Sequence, residues 1–168
     1  MKINIQETDI VRVANQGDEA FFELFANRTL DSIGGELNAD TIQQLTPDQI
    51  TLLAYHIFRE EVMEGGFIQL IHNGYGPFIF LNPFAKAMRL WGAREFSKLV
   101  YDGRRLYGQH AEALTREGTD EEFMALYEQF EEFDELDDQF IEMEPEVTSI
   151  VAHYIDENIT DFAEVGKD

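Results

Sequence analysis

Carboxylates are the chemistry this sequence offers in quantity. Between residues 117 and 146 there is no lysine or arginine, while Glu121, Glu122, Glu128, Glu131, Glu132, Asp134, Glu135, Asp137, Asp138, Glu142, Glu144 and Glu146 crowd together. Read as a helix over 120–138, the segment carries Glu128, Glu131, Glu135 and Asp138 along one edge, at spacings of three and four. Like charges so placed destabilise a helix by about 0.2–0.5 kcal/mol per pair, so selection for stability alone would interleave lysines. Such neighbours stand about 5–6 Å apart at Cβ, and one DNA strand carries one phosphate charge per about 3.4 Å of axis. The edge therefore approximates a strand of phosphates, and the twelve carboxylates are the candidate contacts to a basic partner. The plain alternative is a solvated polar face that serves solubility.

Other constellations offer less. His56/Glu60 and His153/Glu157 are i, i+4 pairs that would suit a shared metal, but no Glu-x-x-His repeat or His-Glu-x-x-His accompanies them. Residues 134–146 lack the Asp-x-Asp-x-Asp-Gly spacing of a calcium loop. The glycines punctuate helices and none forms a phosphate loop after a strand. With no cysteine there is neither a disulfide nor a thiolate metal site. The expectation is a protein that is not an enzyme, with no catalytic, cofactor or metal site.

Charge is unevenly spread along the chain. Residues 1–85 carry 12 acids and 4 bases, residues 86–116 carry 3 and 7, and residues 117–168 carry 19 and 1, giving −22 in all. That charge opposes direct binding to nucleic acid or anionic lipid. Fourteen Phe, six Tyr and one Trp supply a core, so acidity here does not mean disorder. Helix signals dominate. Asp18 caps a helix that stops at Gly34-Gly35, and Asn38 caps a short one. Thr46-Pro47-Asp48-Gln49 is a capping box with Pro at the first helical position, followed by Ile50, Leu53, Ala54 and Ile57. Gly65 ends that run, a short helix spans 67–73, Asn82-Pro83 starts another, and 93–107 is helical despite Gly103. Thr119-Asp120-Glu121-Glu122 is a second capping box, and Pro145 begins the last helix. No period-2 strand stands out. The fold class is all-α: a single compact multi-helix domain with short loops and an acidic C-terminal helical region. Residues 1–45 supply N-terminal helices that pack on an acidic body at 46–168.

One segment carries a resemblance. Glu61-Val62-Met63-Glu64-Gly65-Gly66-Phe67-Ile68-Gln69, continuing to Asn73-Gly74, is similar to the signature of the bacterial DNA-mimic protein family. The likeness takes in Leu52-Leu53-Ala54-Tyr55, Ala87-Met88-Arg89-Leu90-Trp91-Gly92-Ala93, the acidic-aromatic region 126–140 and Tyr154-Ile155-Asp156-Glu157-Asn158, covering roughly residues 45–162. Glu64, where Asn is commoner, and the bulky stretch 76–80 depart from the pattern. The resemblance implies an acidic all-helical fold, usually self-associating, that presents DNA-like charge to a DNA-binding transcription regulator. On their own residues, Gly65-Gly66 lets one helix stop and another start. Gln69 and Asn73 share a face from which they would satisfy exposed backbone groups, so the signature reads as structural.

Together these give the expectation of a cytoplasmic DNA mimic whose partner is a basic DNA-binding protein, with no membrane contact and no direct nucleic-acid binding. The alternatives are an immunity-type inhibitor of a basic nuclease toxin and a metal-dependent enzyme using His56 or His153. Residues 1–7 lack the apolar run of a signal peptide, and the stretch 78–84 is too short to span a bilayer. A homodimer is expected because Phe78, Phe80, Phe84 and Trp91 exceed what a short turn-and-helix unit buries, and because the basic segment 86–116 suits an acidic segment of a second copy. Crowding should raise carboxylate pKa values.

Overall fold

The computed structural model describes residues 2–167. In chain order the elements are β1 (Asn4–Gln6), α1 (Glu7–Gln16), α2 (Asp18–Ser32), α3 (Ala39–Ile42), α4 (Pro47–His72), α5 (Gly76–Phe80), α6 (Phe84–Leu90), α7 (Arg94–Thr115), α8 (Asp120–Gln129), α9 (Glu132–Glu157), α10 (Ile159–Phe162) and β2 (Glu164–Gly166). The fold is all-α, as the helix signals require. The small exception is a parallel pair of three-residue strands, with Asn4 opposite Glu164 and Gln6 opposite Gly166. Three residues are too few for an alternation to show in sequence, but pairing buries Ile3 and Ile5.

The chain forms two compact units, one comprising residues up to His56 with those from Pro145 onward, the other Ile57–Glu144. In the first, the predicted capping box starts α4. Thr46 N–H donates to Gln49 Oε1 at 2.9 Å, Gln49 N–H donates back to Thr46 Oγ1 at 3.2 Å, and the Gln49 amide reaches Phe162 O at 3.0 Å. Asn38 caps α3 as its side chain predicts, whereas Asp18 is the first residue of α2 and Gly17 takes the cap position, with no side-chain cap. Tyr55 lies edge-on to Phe22 and shares a buried hydrogen bond with Thr148 Oγ1 at 2.8 Å. Pro145 sits inside α9 instead of opening a helix. A Pro in a helix interior costs about 3 kcal/mol. The helix continues because the buried residues on either side, Phe133, Leu136 and Phe140 before it and Val147, Val151 and Ile155 after it, keep helical spacing.

The second unit is built on phenylalanine. Phe58 meets Phe67, Phe96 and Phe140 edge-to-face at centroid distances of 5.3, 5.0 and 4.9 Å, the arrangement ring quadrupoles favour. Phe67 also stacks with Phe80 and Phe133. It reaches that position because α4 is broken at Gly66, whose φ of +76° and ψ of −177° no longer belong to a helix. Phe80, Phe84 and Trp91 are buried and Phe78 is half-buried, so the aromatic surplus expected to drive dimerisation is absorbed inside the unit.

Gly103, which looked like a mere weak point in α7, has a packing reason. A Cβ there would stand 2.5 Å from Phe67 Cε2 and 3.1 Å from Phe80 Cε1. Alanine would gain up to about 1 kcal/mol of helix propensity but overpack two rigid rings, at a cost of about 1–3 kcal/mol. Gly103→Ala is therefore expected to lower stability by about 1 kcal/mol in urea denaturation, opposite in sign to the same change at an exposed helical glycine.

Candidate partner-binding surface

Thr119 starts α8 by accepting the Glu122 N–H at 3.1 Å, while Glu122 Oε1 accepts the Thr119 N–H at 3.3 Å. The helix expected to run unbroken over 120–138 does not. It ends at Phe130, with φ −120° and ψ 54°, and α9 starts afresh at Glu132. No Gly or Pro marks the break, so sequence patterning missed it. Two forces favour it. The turn seats Phe130 against His110, with centroids 4.8 Å apart, and Phe133 against Phe67. It also puts Glu132, Asp134 and Glu135 in a new first turn, where the helix dipole attracts them. Glu128, Glu131, Glu135 and Asp138 consequently do not form one straight edge. Glu128 belongs to α8, Glu131 to the turn, and Glu135 and Asp138 to α9.

The structure does assemble an acidic row on α9. Asp134, Glu135, Asp138 and Glu142 are exposed on one side of the helix, and Glu132 is exposed on another. The four cover eight residue rises, about 12 Å, an axial step of about 4 Å per charge, near the 3.4 Å per charge of a DNA strand. Glu121, Glu122, Glu128 and Glu131 add exposed charge on α8 and the turn, and Glu146 is exposed on the part of α9 in the other unit. Glu132 lies 2.6 Å from His110 Nε2, and Glu135 accepts from the Gln139 amide at 3.4 Å. Two apolar side chains share these faces, Met124 at 61% and Ile141 at 51% exposure. Their signal in the sequence is that they fall out of phase with the Phe130–Phe133–Phe140 stripe.

Two of the twelve predicted carboxylates are engaged inside the unit. Glu144 holds Arg59 Nε at 2.7 Å, each side chain only 13% exposed. Asp137, one residue before the exposed Asp138, turns inward, and its Oδ1 accepts the Phe67 N–H at 2.8 Å. That N–H is released by the break at Gly66 and would otherwise be an orphan. A Cβ on Gly66 would collide with Asp137 Oδ2, and the positive φ suits glycine in any case. Tyr127 of α8 donates to Gly65 O at 2.7 Å. Gln69 and Asn73, expected to satisfy backbone groups, instead both donate to Glu61 Oε2, at 2.7 and 3.0 Å. The Gly-Gly-Phe-x-Gln signature is thus structural, and what it holds is the acidic helices.

Burial, reinforced by Asp134 and Asp138, pushes the Asp137 pKa up to about 6 against the opposing Phe67 hydrogen bond. Desolvation leads and crowding is secondary. Asp9 moves the other way, held low by Arg12 and Arg28. His56 is buried beside the Phe22 ring, and the exposed His153 lies 3.9 Å from Asp18. Among the described residues, no three His, Asp or Glu side chains are grouped to hold a metal ion. No helix among them is long and apolar enough to cross a membrane.

Residues 43–158 match the model of a family described as DMP19-like protein. The chain is 36% identical over 131 residues, 76% of its length and 78% of the relative's, to the DNA mimic protein DMP19 of Neisseria meningitidis serogroup B, strain ATCC BAA-335 / MC58.

The Asp137 geometry sets a pH dependence. Its folded pKa lies above the ordinary 3.8, so its stabilising effect is complete below about pH 4 and is lost as pH rises through about 6. Asp137→Asn keeps the acceptor oxygen and removes the titration. The variant and the parent should melt together at pH 4, and the variant should melt higher at pH 7.5. Scanning calorimetry at the two pH values checks this, and a gap that did not widen with pH would contradict it.

Proposed function

The chain belongs to the DMP19-like protein family, and from that premise we propose that its acidic face occupies the DNA site of a basic DNA-binding protein, such as a transcription regulator, and keeps DNA out. The observation that carries the reading is the row of exposed carboxylates on α9 at nearly the charge spacing of a DNA strand. Glu121, Glu122, Glu128 and Glu131 extend it in this reading, while Asp137 and Glu144 are left to their internal partners. The relative's name as a DNA mimic supports the same assignment. The reading gives the chain no catalytic step and locates its action in the cytoplasm, with the DNA-binding protein it would occupy. Of the two grounds for a homodimer, the aromatic surplus is mostly buried within one unit, while the cations of residues 86–116 stay exposed, so self-association would rest on charge alone.

A phosphate-like array works collectively. Each lost contact should weaken binding modestly and reduce the slope of log affinity against log salt by about one. The test uses a basic DNA-binding protein retained from host lysate on the immobilised chain, from which labelled duplex is displaced at two salt concentrations. Asp134→Asn, Glu135→Gln, Asp138→Asn and Glu142→Gln combined should nearly abolish displacement and leave the circular dichroism spectrum unchanged. A quadruple variant that competes as well as the parent would show that α9 is not the contact face.

A further inference from the structure

The second unit carries a face of opposite character that the acidic reading does not use. Between α5, α6 and α7 lies an open groove of about 310 Å³, lined by Leu81, Pro83, Lys86, Val100, Tyr101 and Arg104 among others. Leu81 is 62% and Tyr101 48% exposed, and Leu90 on α6 is more exposed still. In a chain with 34 acids against 12 bases, six of those bases, Lys86, Arg89, Arg94, Lys98, Arg104 and Arg105, gather on α6 and α7, all exposed. The ion pairs of the described residues include Lys2, Arg12, Arg28 and Arg59. None of the six makes one.

We propose that this groove docks an acidic amphipathic peptide segment of a partner protein, its bulky apolar side chains on Leu81 and Tyr101 and its carboxylates on Lys86 and Arg104. Charge and extent select the occupant. Arg94, Lys98 and Arg105 recur with the groove's Tyr101 at three and four along one side of α7 and continue its charge beyond the groove lining. They span eleven rises, about 16 Å, which a small carboxylate would leave mostly unused and a peptide helix of ten or so residues would cover. Exposed leucines among cations match aliphatic side chains alternating with carboxylates, the helix-in-groove mode of recognition. A nucleic acid would be opposed by the net charge of −22. The face differs from the acidic one in sign and residues, so its fate is independent of the mimic reading.

The experiment pans a phage-displayed library of random 16-residue peptides on the immobilised full chain, then measures a fluorescent copy of the enriched consensus by anisotropy. Peptides rich in Asp and Glu, with Leu, Ile or Phe at spacings of three and four, are expected. Affinity should fall at least tenfold for the pair Lys86→Glu with Arg104→Glu, and about tenfold for Leu81→Ser. Arg104→Lys should retain most of it, and the α9 quadruple variant should bind like the parent. Enrichment of basic peptides alone, no enrichment above a bare surface, or undiminished binding by the charge-reversed pair overturns the proposal. Two further outcomes also overturn it by naming another occupant. One is a 16-nucleotide single strand that binds the parent but not the charge-reversed pair. The other is sedimentation showing that the same pair turns an associated parent into a monomer.

Discussion

The acidic part of this protein hangs on one break in one helix. At Gly66 the backbone leaves the helical region, and the next N–H needs an acceptor that its own helix no longer provides. The Asp137 carboxylate supplies it from α9, while the carbonyl of Gly65 takes the Tyr127 hydroxyl from α8. A two-glycine interruption therefore anchors both acidic helices through one side chain each. Phe67 follows from the same break, which turns its ring into the cluster of Phe58, Phe80 and Phe133. Both anchors resist ionisation. Burial raises the pKa of Asp137 and of the Tyr127 phenol, and Asp137 also raises that of Tyr127.

That arrangement explains how a helix lined with carboxylates persists. Repulsion among like charges three or four residues apart is a fraction of a kcal/mol per pair and is screened by salt beyond about 8–10 Å. Fully burying one large apolar side chain contributes about 1.5–3 kcal/mol. The first half of α9 buries Phe133, Leu136 and Phe140. The apolar face outweighs the acidic one, so the charges can stay unneutralised on the outer side without melting the helix. The new start at Glu132 helps further, since acids that would repel one another in mid-helix meet the positive end of a dipole instead.

Much of the fold was legible because its signals are local. Both predicted capping boxes, at Thr46 and Thr119, and the Asn38 cap depend on side chains within three residues of the backbone they satisfy, and each is present. The failures have non-local causes. The break after Gln129 has no breaker residue and reflects where two aromatic rings find partners. Pro145 marks a helix start in most contexts, yet here the buried stripe continues past it. The strands at each end are three residues long and pair across some 160 positions of sequence. In the candidate site, Asp137 and Asp138 are chemically identical neighbours with opposite roles. The 100° turn between successive helical residues decides which is inward, and a helix whose start is misplaced gives no reliable phase. The partner roles of Gln69 and Asn73 were out of reach for the same reason, since Glu61 meets them only once α4 has bent at Gly66.

For the bases the balance is the converse. Fewer than half as many as the acids, they would each find a carboxylate if pairing were worth much to the fold. Exposed ion pairs contribute about 0–1 kcal/mol, because ordering two long side chains offsets most of the attraction. Leaving Lys86 and Arg104 unpaired therefore costs the folded chain almost nothing. Arg59 with Glu144 is the contrasting case, where both groups are largely removed from solvent and loss of either would strand a buried charge. Stability accounts for the buried pair and is nearly indifferent to the free cations. Their gathering beside exposed Leu81, Leu90 and Tyr101 on α5–α7 therefore calls for an explanation outside the fold, just as the unneutralised row on α9 does.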